Sequence, residues 1–296
     1  MIYDTLCLSS GGIYGLSYIG ALDYLINEKI LNLNNIKNFA GTSIGSVILF
    51  FIIIGYTIKE INYIIINLNF FKLQSEINIE NLLINNGINN GLKIIILLKF
   101  FLNKKLNIDD ITFKELHLKY NKNFIVIGTN FSKGEEAIFN HINTPDMSII
   151  TAIRISISIP FIFTPVLYNN EYYVDGALTN TLPINYCNEE TTISINLPYS
   201  DSYKIDNIFD VLLNSIKIMS KSISCKNKCN INDNIINIYN DESYTSYELN
   251  INLETKINLI NLGRETTIKH VKNSKKLIYI ICENVINDII NKIKIH

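Results

Sequence analysis

Six of the thirteen glycines in this 296-residue chain fall within its first 45 positions: Gly11, Gly12, Gly15, Gly20, Gly41 and Gly45. Glycine serves tight turns and close backbone approach, so the unusual backbone geometry is concentrated at the start of the chain. Two clusters, Ser9-Ser10-Gly11-Gly12 and Gly41-Thr42-Ser43-Ile44-Gly45, each follow a short apolar run and precede a stretch of helical character. Tyr3 to Leu8 and Ile36 to Ala40 read as buried strands. Gly15 to Glu28, with Leu16, Ile19, Leu22 and Ile26 at helical spacing, and the apolar Ile44 to Ile54 read as helices. Strand, glycine turn and helix, twice over, open an α/β protein.

The rest of the chain continues the alternation. Thr57-Ile-Lys-Glu60 has the form of a capping box and should open a helix toward Phe71. Residues 80–105 are helical in pattern, interrupted at Asn86-Gly87 and Asn90-Gly91. Phe124 to Gly128 reads as a strand with Glu136 to Asn140 as its hairpin partner, and Met147 to Ser156 as a helix running into Pro160. Tyr172 to Val174 is a strand that stops at Asp175-Gly176, and Thr192 to Leu197 is another. The last hundred residues give two or three helices and one strand near Ile235 to Tyr239. No repeat, proline-rich linker or charge block divides the chain. The expectation is a single domain over 1–296: a three-layer α/β/α sandwich with a mostly parallel central sheet.

Composition bounds the partners. A formal charge of −1 and a pI near 6.4 remove the strong electrostatic warrant for nucleic acid or an anionic membrane, leaving only a local patch open. With 48% hydrophobic and 18% charged residues, the chain is not of the disordered class. Ile makes up about a fifth of the chain and Asn about a seventh, a bias we attribute to AT-rich coding, so Gly, Ser, Asp and Pro carry more information. The longest apolar run, Val47 to Ile54, is far shorter than the roughly 18 residues of a spanning helix. No basic segment leads into an apolar one at the N-terminus, so a cytoplasmic location is expected. The five cysteines show no framework spacing and read as reduced thiols. Cys225-Lys-Asn-Lys-Cys229 lacks a second pair of ligands, and neither metal nor cofactor is expected.

Chemistry enters at Gly41-Thr42-Ser43-Ile44-Gly45. A G-x-S-x-G between strand and helix makes a sharp turn that projects the serine hydroxyl while small flanking residues let the chains pass. Random placement of 13 glycines and 20 serines yields only about 0.04 such matches in this length. Ser10-Gly11-Gly12-Ile13-Tyr14-Gly15 offers backbone N–H groups at a helix start, which can hold a negative charge. It is not a dinucleotide fingerprint, because Ser10 replaces the first glycine and no acid lies between Lys29 and Gly45. It is not a P-loop, because no Gly-Lys-Ser/Thr follows. An oxyanion hole for a tetrahedral acyl intermediate remains, worth about 3 kcal/mol per donor.

A base must activate Ser43. None of His117, His141, His270 and His296 stands at a motif-like strand end. Asp175, in Val174-Asp175-Gly176-Ala177, does; taken alone, the same Asp-Gly would serve equally as a plain turn.

The order Gly-rich loop, G-x-S-x-G, then D-G-A resembles the patatin-like phospholipases, which use a Ser–Asp dyad without histidine. Ser156-Ile-Ser-Ile-Pro160 with Pro165, Asn180-Thr-Leu-Pro183, and Thr112-Phe-Lys-Glu-Leu116 leading into Phe124–Asn130 are also similar to that family, and the resemblance covers about 4–197. It implies Ser43 as nucleophile, Asp175 as general base, and the amides of Gly11, Gly12 and Ile13 as oxyanion hole. Ser10, Tyr14, Gly15, Gly41, Gly45, Gly176 and Ala177 support these motifs. It further implies hydrolysis of phospholipid or another acyl lipid at a membrane or micelle surface, without a metal. Two positions depart from the pattern: Ser10 stands where the family has its first glycine, and Tyr14 where it has Arg or Lys. The departures keep open a slow or inactive lipid-binding relative, and the dyad would equally serve a general carboxylesterase or acyl transferase. The apolar stretches 47–55, 64–73 and 92–102 read mainly as core helix faces, with 64–71 a candidate lid.

Overall fold

The computed structural model describes residues 3–73, 84, 86–199, 205–206, 208–226, 234–240 and 250–294. Cys229 and His296 lie outside them, as does most of 74–85. In chain order the elements are β1 (Thr5–Leu8), α1 (Ser17–Asn27), β2 (Asn38–Thr42), α2 (Ile44–Ile53), α3 (Ile58–Asn67), β3 (Gly87–Asn89), α4 (Leu92–Leu106) and α5 (Phe113–Tyr120). There follow β4 (Asn123–Asn130), β5 (Glu135–Phe139), α6 (Ile149–Ser156), β6 (Phe161–Phe163), β7 (Val166–Tyr168) and β8 (Glu171–Asp175). The series closes with β9 (Thr192–Asn196), α7 (Ile208–Lys226), β10 (Ile235–Asn237) and α8 (Leu253–Lys294).

The main sheet runs β10-β9-β1-β2-β4-β8-β7, with β5 also paired to β4. The β10–β9–β1–β2–β4 half is parallel throughout, whereas β5, β7 and β8 add antiparallel pairs. Helices cover both faces, giving the α/β/α sandwich that the alternation predicts. Parallel strands buried on both faces explain why β1 is buried at every position and why Leu6, Leu8, Phe50 and Phe124 meet in one core.

Local signals set several boundaries. The Thr57/Glu60 capping box forms as read, and a second one, Thr112 with Glu115, starts α5. Two expectations shift. β2 runs through Gly41 to Thr42, because Gly41 and Thr42 pair with Val126 and Ile127 of β4. Within the expected helical stretch 80–105, Gly87–Asn89 is instead a strand, paired in parallel with Phe161 and Phe163 of β6.

The segment considered as a lid is tied down. Lys256 of α8, itself buried, donates to the carbonyls of Ile65, Ile66 and Leu68 at 3.0, 3.1 and 2.6 Å. Its ammonium also lies 4.9 Å from the centre of the Phe70 ring. A cation on the last carbonyls of α3 satisfies acceptors that the helix itself cannot. The start of α8 also packs on α1, with Gly20 close against the Ile260 backbone, Gly263 close against the Ser17 backbone, and an Arg264–Asp23 ion pair.

Candidate active site

The sheet brings Ser43 and Asp175 together through β4. β5 occupies one edge of β4 over Val126–Asn130. The other edge is shared: β2 pairs with it up to Ile127, and β8 pairs with it from Gly128 onward in the opposite direction. β2 and β8 therefore run toward each other and meet end to end, with Thr42 opposite Ile127 and Asp175 opposite Gly128. The residue after Thr42 is Ser43. Its Oγ donates to Asp175 Oδ2 at 2.8 Å, and the two residues are 5% and 2% exposed.

Ser43 sits at φ 52°, ψ −124°, a strained conformation for a residue with a β-carbon. The elbow is held from several sides. Its N–H donates to Ser156 Oγ at 2.8 Å, and its carbonyl accepts from Ser46 Oγ at 2.6 Å. Thr42 Oγ1 donates to the Asn180 carbonyl at 2.9 Å. Gly45 has to be glycine, since a Cβ there would lie 2.5 Å from the Leu8 carbonyl oxygen.

Asp175 ends β8 and caps the short turn at Gly176–Leu178, with the Ala177 N–H donating to Oδ1 at 2.8 Å. That bond leaves Oδ2 for Ser43. Its own N–H donates to the Ser158 carbonyl and its carbonyl accepts from Thr129 Oγ1, both at 2.9 Å. Burial pushes the carboxyl pKa up from 3.8 to about 7, against the opposing pull of the Ala177 and Ser43 bonds. Val174 and Tyr173 are buried beside it, but Tyr172 is 51% exposed.

The glycine-rich turn is a 3-10 helix from Gly12 to Leu16 between β1 and α1. Gly12 takes φ 54°, and the amides of Gly12 and Ile13 open the turn, where first-turn N–H groups have no acceptor in their own helix. Two of the histidines are engaged elsewhere: the rings of His117 and His141 stack 4.1 Å apart, and His117 Nδ1 lies 2.7 Å from Asn123 Oδ1.

A buried serine on a strand-to-helix elbow, bonded to an aspartate at a D-G-A turn, sits within a stretch that a family profile recognises. The profile of the patatin-like phospholipases matches residues 6–187. The chain belongs to the patatin-like phospholipase family. Uncharacterized protein R571 of Acanthamoeba polyphaga mimivirus is 31% identical over 285 residues, 90% of this chain and 92% of that one. Probable lipid hydrolase 463L of Invertebrate iridescent virus 6 is 37% identical over 188 residues, 62% of each chain. Among solved structures, VipD from Legionella pneumophila superposes with a TM-score of 0.59 at 19% identity, over 92% of this chain and 67% of its own. ExoU from Pseudomonas aeruginosa, in complex with SpcU, gives 0.54 at 14% identity, over 92% of this chain and 52% of its own. At such identities these two carry the fold alone. The patatin-like fold is thus shared, and the chain spans about half the length of ExoU.

Both departures from the patatin-like pattern find a place in the structure. Tyr14 is 5% exposed and packs in the main core. Ser10 is buried, and its side chain bonds the Tyr199 hydroxyl, whose pKa burial and then the charge of Asp175 push up to about 12. Around the Ser43–Asp175 pair, the sequence did not single out Arg154 or Tyr199, and it brought in Ser156 only as the start of the Ser156–Pro160 stretch similar to the family. Arg154 is buried, with its pKa brought down to about 10 by burial, and it donates to the Asn90 carbonyl, the Thr164 carbonyl and Ser158 Oγ.

Proposed function

We propose that this chain is an acyl hydrolase of phospholipids or lysophospholipids, working through an acyl-serine on Ser43 with Asp175 as the base. The observation that carries this reading is the 2.8 Å bond from Ser43 Oγ to a buried carboxylate whose pKa stands near 7. An ordinary aspartate near 3.8 is a weak base at neutral pH; one near 7 matches the task. Family membership supplies lipid-ester hydrolysis as the broad function, and the iridescent virus relative, named a probable lipid hydrolase, supports it.

Ser43 Oγ attacks the ester carbonyl carbon as its proton passes to Asp175 Oδ2. The oxyanion that forms is met by the amides of Gly11, Gly12 and Ile13, at the positive end of the turn that leads into α1. Collapse breaks the C–O bond, and Asp175 returns the proton to the departing alcohol oxygen. Water then attacks the acyl-serine, giving its proton to Asp175, and the second collapse releases the fatty acid and restores Ser43. Each step needs one proton acceptor only, so a third catalytic group has no task.

Fatty-acid release from mixed phospholipid micelles, in the presence of EDTA, tests the reading. Release by the unaltered protein, lost in both Ser43→Ala and Asp175→Asn, is expected. Release only from short-chain soluble esters would move the assignment to a general carboxylesterase, and no release from either would favour a non-catalytic lipid binder.

A further inference from the structure

Helix α4 presents an apolar stripe to solvent. Leu92, Ile96 and Phe100 recur every fourth residue and are 52%, 58% and 56% exposed, while Leu98 and Leu102 on the other side are buried. Single exposed apolar side chains are ordinary, but three on successive turns make one surface. Lysines border it. At 100° per residue, exposed Lys99 projects from one edge of the stripe and exposed Lys104 from the other. Lys104 Nζ lies 5.9 Å from the centre of the Phe100 ring. No Asp or Glu occurs from Asn86 to Ile108, so the segment is positive within a chain whose net charge is −1. An apolar stripe with a cationic border is the pattern of a helix lying in a lipid interface.

The same helix is joined to the dyad by polar contacts. Arg154 Nη2 donates to the Asn90 carbonyl at 3.0 Å, just ahead of α4, and Gly91, at φ +70°, has to be glycine there, since a Cβ would lie 2.1 Å from Arg154 Nε. Arg154 also bonds Ser158 Oγ, and the Ser158 carbonyl accepts the Asp175 N–H.

We propose that α4 is the surface on which this protein rests on an anionic lipid bilayer. Leu92, Ile96 and Phe100 enter the headgroup–acyl boundary, and Lys99 and Lys104 meet lipid phosphates. The proposal rests on the acyl-lipid reading in one respect, that the substrate lies in such a surface. A second copy is the poorer occupant, because a two-fold contact of α4 with itself sets lysines against lysines.

The test is co-sedimentation of the Ser43→Ala protein, which leaves vesicles intact, with phosphatidylcholine vesicles with or without phosphatidylglycerol. Binding should require phosphatidylglycerol and weaken with salt. Lys99→Glu/Lys104→Glu should lower affinity at least 25-fold, about fivefold for each lysine removed. Ile96→Asn/Phe100→Asn should lose binding through the apolar term alone, and far-UV circular dichroism checks that both variants fold. Equal binding to neutral vesicles, no binding to either kind, or undiminished binding by both variants overturns the proposal. So does self-association in lipid-free sedimentation that Ile96→Asn/Phe100→Asn abolishes. Hydrolysis of a water-soluble short-chain ester by the unaltered protein reports on the acyl-hydrolase reading alone, so the two can fail separately.

Discussion

The backbone N–H of Ser43 donates to the Ser156 hydroxyl at 2.8 Å, and that hydroxyl donates onward to the Ile127 carbonyl at 2.5 Å. One side chain thus links the end of α6, the elbow after β2 and the middle of β4. A serine at φ 52° stores about 1–3 kcal/mol of strain that its surroundings must hold. Ser156 touches the backbone of the proposed nucleophile rather than reacting atoms, so it is a positioning residue in that mechanism.

Ser156→Ala leaves one buried N–H and one buried carbonyl short of a partner. A loss of roughly 1–3 kcal/mol is expected in urea unfolding. Relaxation of the elbow should also lower kcat while leaving KM nearly unchanged, since the acyl-chain contacts are untouched. An unaltered kcat in a measurably destabilised variant would show that Ser156 only stabilises the fold.

In the proposed mechanism Asp175 must be ionised to accept the Ser43 proton. With its pKa raised to about 7, kcat/KM should fall tenfold for each pH unit below that value. A carboxylate left at 3.8 would hold the plateau down to about pH 5. A pH profile on a substrate that does not itself titrate separates the two. A flat profile from pH 5 to 8 would rule out the buried-base account.

The same shift has a signature in stability. Unfolded, Asp175 ionises near 3.8, and folded near 7, so between those values the unfolded chain binds fewer protons. Stability must therefore drop as pH rises through that window and level off above it. Asp175→Asn keeps an acceptor for the Ala177 N–H but carries no charge. The difference in unfolding free energy between variant and parent should move in the variant's favour from pH 4 to 7.5, by on the order of 4 kcal/mol. Parallel curves for the two proteins would mean that the carboxylate is not desolvated.

The legible parts of the site were those written as local punctuation. Glycines on both sides of Ser43, and an acid followed by glycine at the end of a short strand, announce turns that any fold must make. The fold class followed from the alternation of short apolar runs with helical spacing. What stayed hidden depends on distant pairing. Gly41 looked like a strand end because glycine disfavours strands, yet its bonds to β4 outweigh that preference. Gly87–Asn89 is a strand only because β6 lies beside it, more than seventy residues later. Ser156 gains its role where α6 ends over the elbow, and Tyr199 meets Ser10 from a segment nearly two hundred residues away. Periodicity has no view of such contacts.

Arg154 offers the last test, because it carries a buried positive charge whose described acceptors are carbonyls and hydroxyls. Its planar fork reaches the Asn90 carbonyl, the Thr164 carbonyl and Ser158 Oγ at once, a geometry that a lysine ammonium does not reproduce. Arg154→Lys should therefore cost about 2–4 kcal/mol, as expected for a buried charge short of partners. It should also loosen Ser158, whose carbonyl holds the Asp175 N–H, and so lower kcat more than it raises KM. Arg154→Met removes the charge but keeps much of the volume. If polar bridging to Asp175 matters beyond packing, the methionine variant should recover stability relative to lysine while kcat stays low. Recovery of both together would reduce Arg154 to a packing residue.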